Sequence, residues 1–184
     1  MTIAIDLYED SGAVLSGHGT TRIAVDNIGW KSSGLDETNS FAYYPVRRPD
    51  GVPFTYSYQK YNFFRISGTH AKATRPVIII TGADLLLADQ MRLHYKLSST
   101  YEEATGGIDG SLMYLNNTIR IYPKLSTIGP EDTGASYIQY LTSGTTYYTQ
   151  YLVTQLLVES SSVYQNLPEV TVGLYLQEFE NTDV

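Results

Sequence analysis

The chain contains no cysteine, which excludes disulfide bonds, thiolate catalysis and zinc sites built on thiolates. It also has no apolar run near the roughly 20 residues that a membrane-spanning helix needs. Its first ten residues alternate in polarity and carry acids, which is not typical of a secretory signal. From these absences we expect a protein that has no membrane partner.

Charged residues are scarce and mostly acidic. They make up 17% of the 184 residues, and the formal net charge is −7. A nucleic acid is therefore not an expected partner, because binding to phosphates needs a concentrated positive field. The hydrophobic fraction of 42% is that of a folded protein. The length suits one domain with an arm better than two small domains.

The sequence offers no recognisable catalytic or phosphate-binding pattern. The three histidines, His18, His70 and His94, lie far apart, and none has a second ligand at the spacing of a metal site. The segment Gly17-His18-Gly19 lacks the further glycine and the lysine of a phosphate-binding loop, and no nucleophile-elbow pattern is present. We therefore expect no catalytic residue and no cofactor. We interpret His94 as a solvated side chain on the polar face of a strand.

Acidic residues in predicted loops are the remaining source of chemistry. Glu102-Glu103, Asp109 and Glu131-Asp132 could gather around a calcium ion at one end of a sandwich, or face each other across a glycosidase cleft. Their spacing does not match the calcium loop of an EF-hand. We therefore predict no metal site, and an enzyme is the least favoured class of function.

Tyrosine is the abundant aromatic residue, with seventeen copies against five of phenylalanine and one of tryptophan. A tyrosine buries its ring while its hydroxyl stays in water, so it is favoured on surfaces that are shared with a partner. Tyrosine is also a good strand residue in its own right. The sequence leaves both explanations open.

Short segments with alternating or continuous apolar residues follow one another along most of the chain, and helix signals are almost absent. The pattern predicts a strand at 3–8 followed by a turn at 9–12, strands at 22–28, 56–67, 77–80, 91–98, 137–141 and 170–179, a hairpin with arms 111–115 and 118–122, and a helical turn at 83–90. This succession predicts an all-β fold, either an antiparallel β-sandwich or a jelly-roll-like domain.

The longest run without glycine, proline or formal charge is Thr145 to Val158. Its residues are mostly aromatic, β-branched or threonine, and neither of its two faces is plainly polar. The run therefore predicts a central strand that is covered on both sides. The pairs Thr149-Gln150 and Thr154-Gln155 are candidate bulges. We expect the Leu-Val end of the run to lie in the core and the Tyr end to meet a partner.

The region up to residue 53 combines a first strand or strands with a long stretch rich in proline and glycine. We predict an extended N-terminal arm within residues 1–53 and a β-sandwich core over residues 54–184. A long loop of this kind is usually functional or ordered by a partner, and a basic pair in it would suit an acidic neighbour. The candidate interface residues are Trp30, Tyr43, Tyr44, Arg47, Arg48, Tyr147 and Tyr148.

Three stretches, IAIDLYEDSGA, YSYQKYNFFRISG and TTYYTQYLVTQLLV, resemble pieces of small structural proteins from the virions of tailed bacteriophages, cyanophages among them. The resemblance covers most of the chain in strand texture and carries over no functional residue. It implies a non-catalytic β-sandwich of the virion, with the major capsid protein or neck and tail subunits as partners, and a homo-oligomer.

Within that resemblance we expect a capsid cement or decoration protein, and the alternative is a neck, tail or baseplate component. A second alternative is a carbohydrate-binding sandwich at a receptor-binding tip, in which tyrosines and Trp30 would stack on sugar rings.

Overall fold

A computed structural model describes residues 2–26, 28, 55–69, 73–82, 91–102, 111–114, 118–132, 141–158 and 170–179. Within these ranges the chain forms twelve strands and a single turn of 3-10 helix, Pro130–Asp132. The strands are β1 (Thr2–Leu15), β2 (His18–Ala24), β3 (Thr55–Tyr56), β4 (Lys60–Thr69), β5 (Ala73–Gly82), β6 (Met91–Ser98), β7 (Ser111–Tyr114), β8 (Thr118–Ile121), β9 (Leu125–Ser126), β10 (Tyr147–Thr149), β11 (Tyr151–Val158) and β12 (Val170–Phe179).

The strands form two antiparallel sheets that pack against each other, which confirms the predicted all-β sandwich. The large sheet has the order β2-β1-β4-β11-β6-β7, with β3, β9 and β10 joined at its sides. The small sheet has the order β12-β5-β8. We call the face that each sheet turns toward the other its inner face, and the opposite one its outer face.

The main core lies between the two inner faces. Ile78 and Ile80 of β5 are fully buried, and they pack against Phe64, Leu152 and other apolar residues of the large sheet. Successive side chains of a strand point to opposite faces, so Ile78 and Ile80, two residues apart in β5, lie on the same inner face. A hydrophobic stripe from each sheet thus closes the sandwich.

The strand predicted to be central is central. All seven residues from Tyr151 to Leu157 are buried, and β11 lies between β4 and β6. A bulge separates it from β10, as predicted for the Thr149-Gln150 pair. Tyr148 lies opposite Arg65 and Leu152 opposite Asn62, so three residues of the long strand face two of β4.

Side chains of the bulge bind backbone N–H groups of neighbouring segments. The Phe64 N–H donates to the Thr149 hydroxyl at 3.0 Å, and the Gln150 side-chain oxygen accepts from the Lys124 N–H at 3.0 Å. These bonds replace the ladder bonds that the extra residue interrupts. Both β10 and β11 consequently remain in the large sheet.

The turn predicted at residues 9–12 is wrong. β1 continues to Leu15, and the chain reverses at Ser16 and Gly17, whose φ angles of 48° and 89° suit a two-residue hairpin turn. Glu9 and Asp10 stay in the strand because cations from other segments neutralise them. Gly12, at φ 82°, lies at a register shift between β1 and β2.

The hairpin predicted over residues 111–122 is also wrong. β7 pairs with β6 in the large sheet, whereas β8 pairs with β5 in the small sheet. Ile119 and Ile121 of β8 pack on the main core from that second sheet. Local turn chemistry could not show that the two strands belong to different layers.

Two further outcomes concern strand exposure and the N-terminal segment. His94 is 8% exposed, so the prediction that it is solvated is wrong. It lies in β6, which is paired with β11 on one side and β7 on the other. The strands β1 and β2 belong to the large sheet, so the boundary predicted at 53/54 separates strands of one sheet. The predicted strands at 77–80, 91–98 and 170–179 are confirmed. The predicted arm over 29–53 and the helical turn at 83–90 lie outside the described residues.

Candidate interaction surface

Most of the predicted interface residues lie outside the residues that the structure describes. These are Trp30, Tyr43, Tyr44, Arg47 and Arg48. Their assignment to an interface stays a prediction.

The two remaining candidates, Tyr147 and Tyr148, point to opposite sides of the large sheet. Tyr147 is 4% exposed, packs with Ile66, Leu125 and Leu141, and accepts a hydrogen bond from the Thr142 N–H at 2.9 Å. Its ring belongs to the core of this chain and is not available to a partner in this fold. Tyr148 is half-buried against Phe63 on the outer face, so only part of its ring is offered.

The outer face of the large sheet carries an aromatic cluster. Tyr61, Phe63, Tyr101 and Tyr151 are each 1% exposed or less. Their rings meet edge to face, with centroids 4.9 Å apart for Tyr61 and Tyr101 and 5.8 Å apart for Phe63 and Tyr151. The Tyr101 hydroxyl donates to the Gly12 carbonyl at 2.6 Å, which ties the β1–β2 hairpin onto the cluster.

An ionic cluster lies beside these rings and is centred on Asp10, whose side chain is fully buried. Arg22 grips both carboxylate oxygens, through Nε at 2.7 Å and Nη2 at 2.8 Å. The Tyr151 hydroxyl donates to Asp10 Oδ2 at 2.6 Å, and Arg22 Nη2 also reaches Glu131 Oε2 at 3.2 Å. The arginine further lies over the Phe63 ring, 4.8 Å from its centroid.

The electrostatics of this cluster are those of a closed structural site. The hydrogen bonds that Arg22 donates to Asp10 raise the pKa of Arg22 against the opposing effect of burial, so the arginine stays charged. Burial, together with the bond to Asp10, raises the pKa of Tyr151, so its hydroxyl keeps its proton. A carboxylate without exposed surface, held by three donors, stabilises the fold and offers no position to a substrate.

Among the described residues, the outer face of the small sheet carries two exposed tyrosines. Tyr122 and Tyr175 are 44% and 54% exposed. In β12, Tyr175 lies directly opposite Val77 of β5. On the other side of β5, Ile121 lies opposite Ile78, so the next residue, Tyr122, lies beside Val77. The two tyrosines therefore flank Val77. Val77 itself is 3% exposed even though it faces outward. The result is a shallow aromatic saddle whose two rings are exposed and whose centre, Val77, is already covered.

Two arginines give the saddle a positive charge. The Arg75 guanidinium lies over the Tyr122 ring, 4.3 Å from its centroid, and Arg120 is exposed beside Ile79. The described side chains on this face include no carboxylate. On a chain of net charge −7 this face is therefore a local exception. We call the set Arg75, Val77, Arg120, Tyr122 and Tyr175 the tyrosine saddle.

Sequence reasoning did not single out the tyrosine saddle. The alternation of residues 170–179 does place Tyr175 opposite to the inward Leu174 and Leu176. What the sequence lacks is the information that β12, β5 and β8 share one sheet, which brings Tyr175 and Tyr122 to either side of Val77. A periodicity signal identifies faces of strands but not their neighbours.

Further searches of the described residues for specific sites are negative. In the ranges given above, no three histidine or acidic side chains lie close enough together to hold a metal ion. None of the helices described there has the length and apolarity needed to cross a bilayer. Comparisons of the chain with protein-family models, curated proteins and solved structures find no significant match.

Proposed function

We propose that this protein is a non-enzymatic structural subunit that binds neighbouring subunits of an assembly through the tyrosine saddle. The single observation that carries the proposal is the exposure of Tyr122 and Tyr175 around the apolar Val77. Interfaces are enriched in tyrosine and arginine, and their strongest contacts are made by such side chains around an apolar centre. In contrast, the described rings of Tyr61, Phe63, Tyr101 and Tyr151 on the large sheet are buried inside the chain.

The assembly we propose is the virion of a tailed bacteriophage, and the role is that of a capsid cement or decoration protein. The support for this finer proposal is the resemblance of three strand segments to small virion proteins. The chain would then have the major capsid protein as a partner in the shell, and the saddle would bind a neighbouring subunit of that shell. A place in the neck, tail or baseplate would use the same surface against a different subunit.

The direct test is to purify virions produced from the genome that encodes this chain and to detect the chain by mass spectrometry. We expect it as a stoichiometric component. The double variant Tyr122→Ser/Tyr175→Ser should be depleted from the particles, since it removes both walls of the saddle. Absence of the wild-type chain from purified virions would overturn the virion proposal.

A matched control separates loss of the saddle from the general effect of removing an exposed apolar side chain. Leu15→Ser removes an apolar side chain of similar exposure, 53%, from the tip of the β1–β2 hairpin, away from the saddle. We expect this variant to enter particles like the wild type. If both variants are depleted equally, the saddle is not the binding surface.

Carbohydrate binding is a second candidate, because two exposed tyrosine rings on a flat sheet face could also stack on sugars. This candidate predicts glycan-array binding by the isolated chain that is lost in Tyr122→Ser/Tyr175→Ser. Binding to protein subunits without any glycan signal would favour the structural role.

A further inference from the structure

An exposed apolar side chain projects from the side of the molecule opposite the tyrosine saddle. Ile128, in the loop between β9 and the 3-10 turn, is 76% exposed, the largest exposure among the described large hydrophobic residues. Its backbone N–H donates to the hydroxyl of the buried Ser126 at 3.0 Å. The Asp132 N–H closes the following turn onto the Gly129 carbonyl at 3.1 Å. The loop therefore presents Ile128 in a fixed position.

The loop around Ile128 is acidic. Glu131 and Asp132 form most of the 3-10 turn that follows, and Asp132 is exposed. Glu131 keeps 22% of its side chain exposed while it bonds to Arg22. An apolar residue beside carboxylates is the complement, in polarity and in charge, of two exposed tyrosine rings beside two arginines. We call residues 127–132 the Ile128 loop.

The Ile128 loop and the tyrosine saddle lie on opposite sides of the sandwich. Glu131 bonds to Arg22, which binds Asp10 and Tyr151 on the outer face of the large sheet. The saddle occupies the outer face of the small sheet. The two surfaces therefore cannot meet within one molecule, but they can meet between two copies.

We propose that the tyrosine saddle binds the Ile128 loop of a second copy of this chain, head to tail. This inference rests on the proposed function of the saddle and names its partner. Ile128 packs on the exposed rings of Tyr122 and Tyr175, and the loop carboxylates face Arg75 and Arg120. Because the two surfaces lie on opposite sides of the molecule, two copies cannot make both contacts at once. The contact is therefore heterologous, and each added copy leaves one saddle and one loop free. The product is a ring or a filament and not a closed dimer.

Sedimentation velocity of the full chain over a range of concentrations and salt tests the arrangement. We expect the wild type to form species beyond the dimer as concentration rises, and to dissociate as salt screens the charges. Ile128→Ser should weaken association about tenfold or more, because it removes the apolar side chain that fills the saddle. Circular dichroism should show both proteins equally folded, since Ile128 is exposed.

A charge-exchange experiment identifies the two surfaces. Arg120→Glu and Asp132→Lys should each prevent self-association, because like charges then face each other across the contact. A mixture of the two variants should associate again, since every contact between unlike copies is charge-complementary. Arg65→Glu on the large sheet is the matched control and should associate like the wild type.

The outcomes separate this inference from the proposed function. A wild-type chain that stays monomeric, or a mixture that does not associate, overturns the head-to-tail contact. Loss of association in Arg120→Glu with no effect of Ile128→Ser also overturns it, because the saddle would then bind something other than the loop. If the chain is monomeric and Tyr122→Ser/Tyr175→Ser is still depleted from virions, the proposed function stands and only this inference fails.

Discussion

The two outer faces of the sandwich use the same residue types for different ends. On the large sheet, Tyr151 is fully buried, and its hydroxyl and Arg22 both donate hydrogen bonds to Asp10. On the small sheet, Tyr175 is 54% exposed, and Arg120 has no carboxylate beside it among the described side chains of that face. The comparison teaches that tyrosine content alone does not mark an interface. What matters is whether the ring and the hydroxyl find their partners inside the chain.

The largest expected effect comes from removing the cation of the buried cluster. Arg22→Met leaves the Asp10 carboxylate buried without its positive partner, and should cost about 3–5 kcal/mol in the free energy of unfolding. Urea titration followed by circular dichroism measures the loss. Combining it with Asp10→Asn should recover part of the stability, because the uncompensated charge is then gone. A loss below about 1 kcal/mol would mean that Asp10 reaches water in another way.

A smaller effect is expected from the tyrosine of the same cluster. Tyr151→Phe keeps the packing of the ring and removes one hydrogen bond to a charged acceptor that Arg22 still neutralises. We expect a loss of about 1.5 kcal/mol, measured by the same urea titration. A neutral or stabilising result would show that the 2.6 Å bond to Asp10 contributes nothing net.

The pH dependence of stability sharpens the contrast between the two faces. Burial raises the pKa of Tyr151 above the ordinary value near 10. Both states keep the proton below that pH. Above it the unfolded state ionises while the folded state does not, so stability should fall by about 1.4 kcal/mol per pH unit for this one group. Urea midpoints at pH 9, 10 and 11 should therefore converge for the wild type and Tyr151→Phe.

The smallest effect is expected on the small sheet. Arg120→Met removes an exposed cation, and should change the free energy of unfolding by less than about 0.5 kcal/mol. The same substitution chemistry at Arg22 would be several times more costly, so the pair of variants measures the difference between the faces directly. A large decrease in the free energy of unfolding of Arg120→Met would show that the saddle stabilises the fold.

The sequence predicts the architecture well where the apolar pattern of a strand's own residues determines its position in the sheet. The run from Tyr151 to Leu157 is apolar on both sides, and it is the central strand with both sides buried. The same uniformity hides which tyrosine points inward, so Tyr147 was assigned to an interface although it lies in the core. When both faces of a strand are apolar, the sequence does not show which face turns toward the core.

The predictions fail where distant residues decide the local conformation. Glu9 and Asp10 followed by serine and glycine have the composition of a turn. They remain in β1 because Lys60 bonds to Glu9 at 2.6 Å and Arg22 holds Asp10. Likewise, the assignment of β7 and β8 to separate sheets depends on β6 and β5, which no turn signal reveals. The tyrosine saddle was missed for the same reason.

The position of β11 has a consequence for co-translational folding. The strand lies between β4 and β6, and its first residue completes the bonds of Asp10, which was made about 140 residues earlier. We expect the nascent large sheet to stay divided until Val158 has left the ribosome. Until then β1, β2 and β4 are separated from β6 and β7, because β11, which lies between them, is not yet available. Such non-local closure is slow. During translation the chain must therefore carry unpaired strand edges for most of its synthesis, and a chaperone that covers them would raise the yield of folded protein.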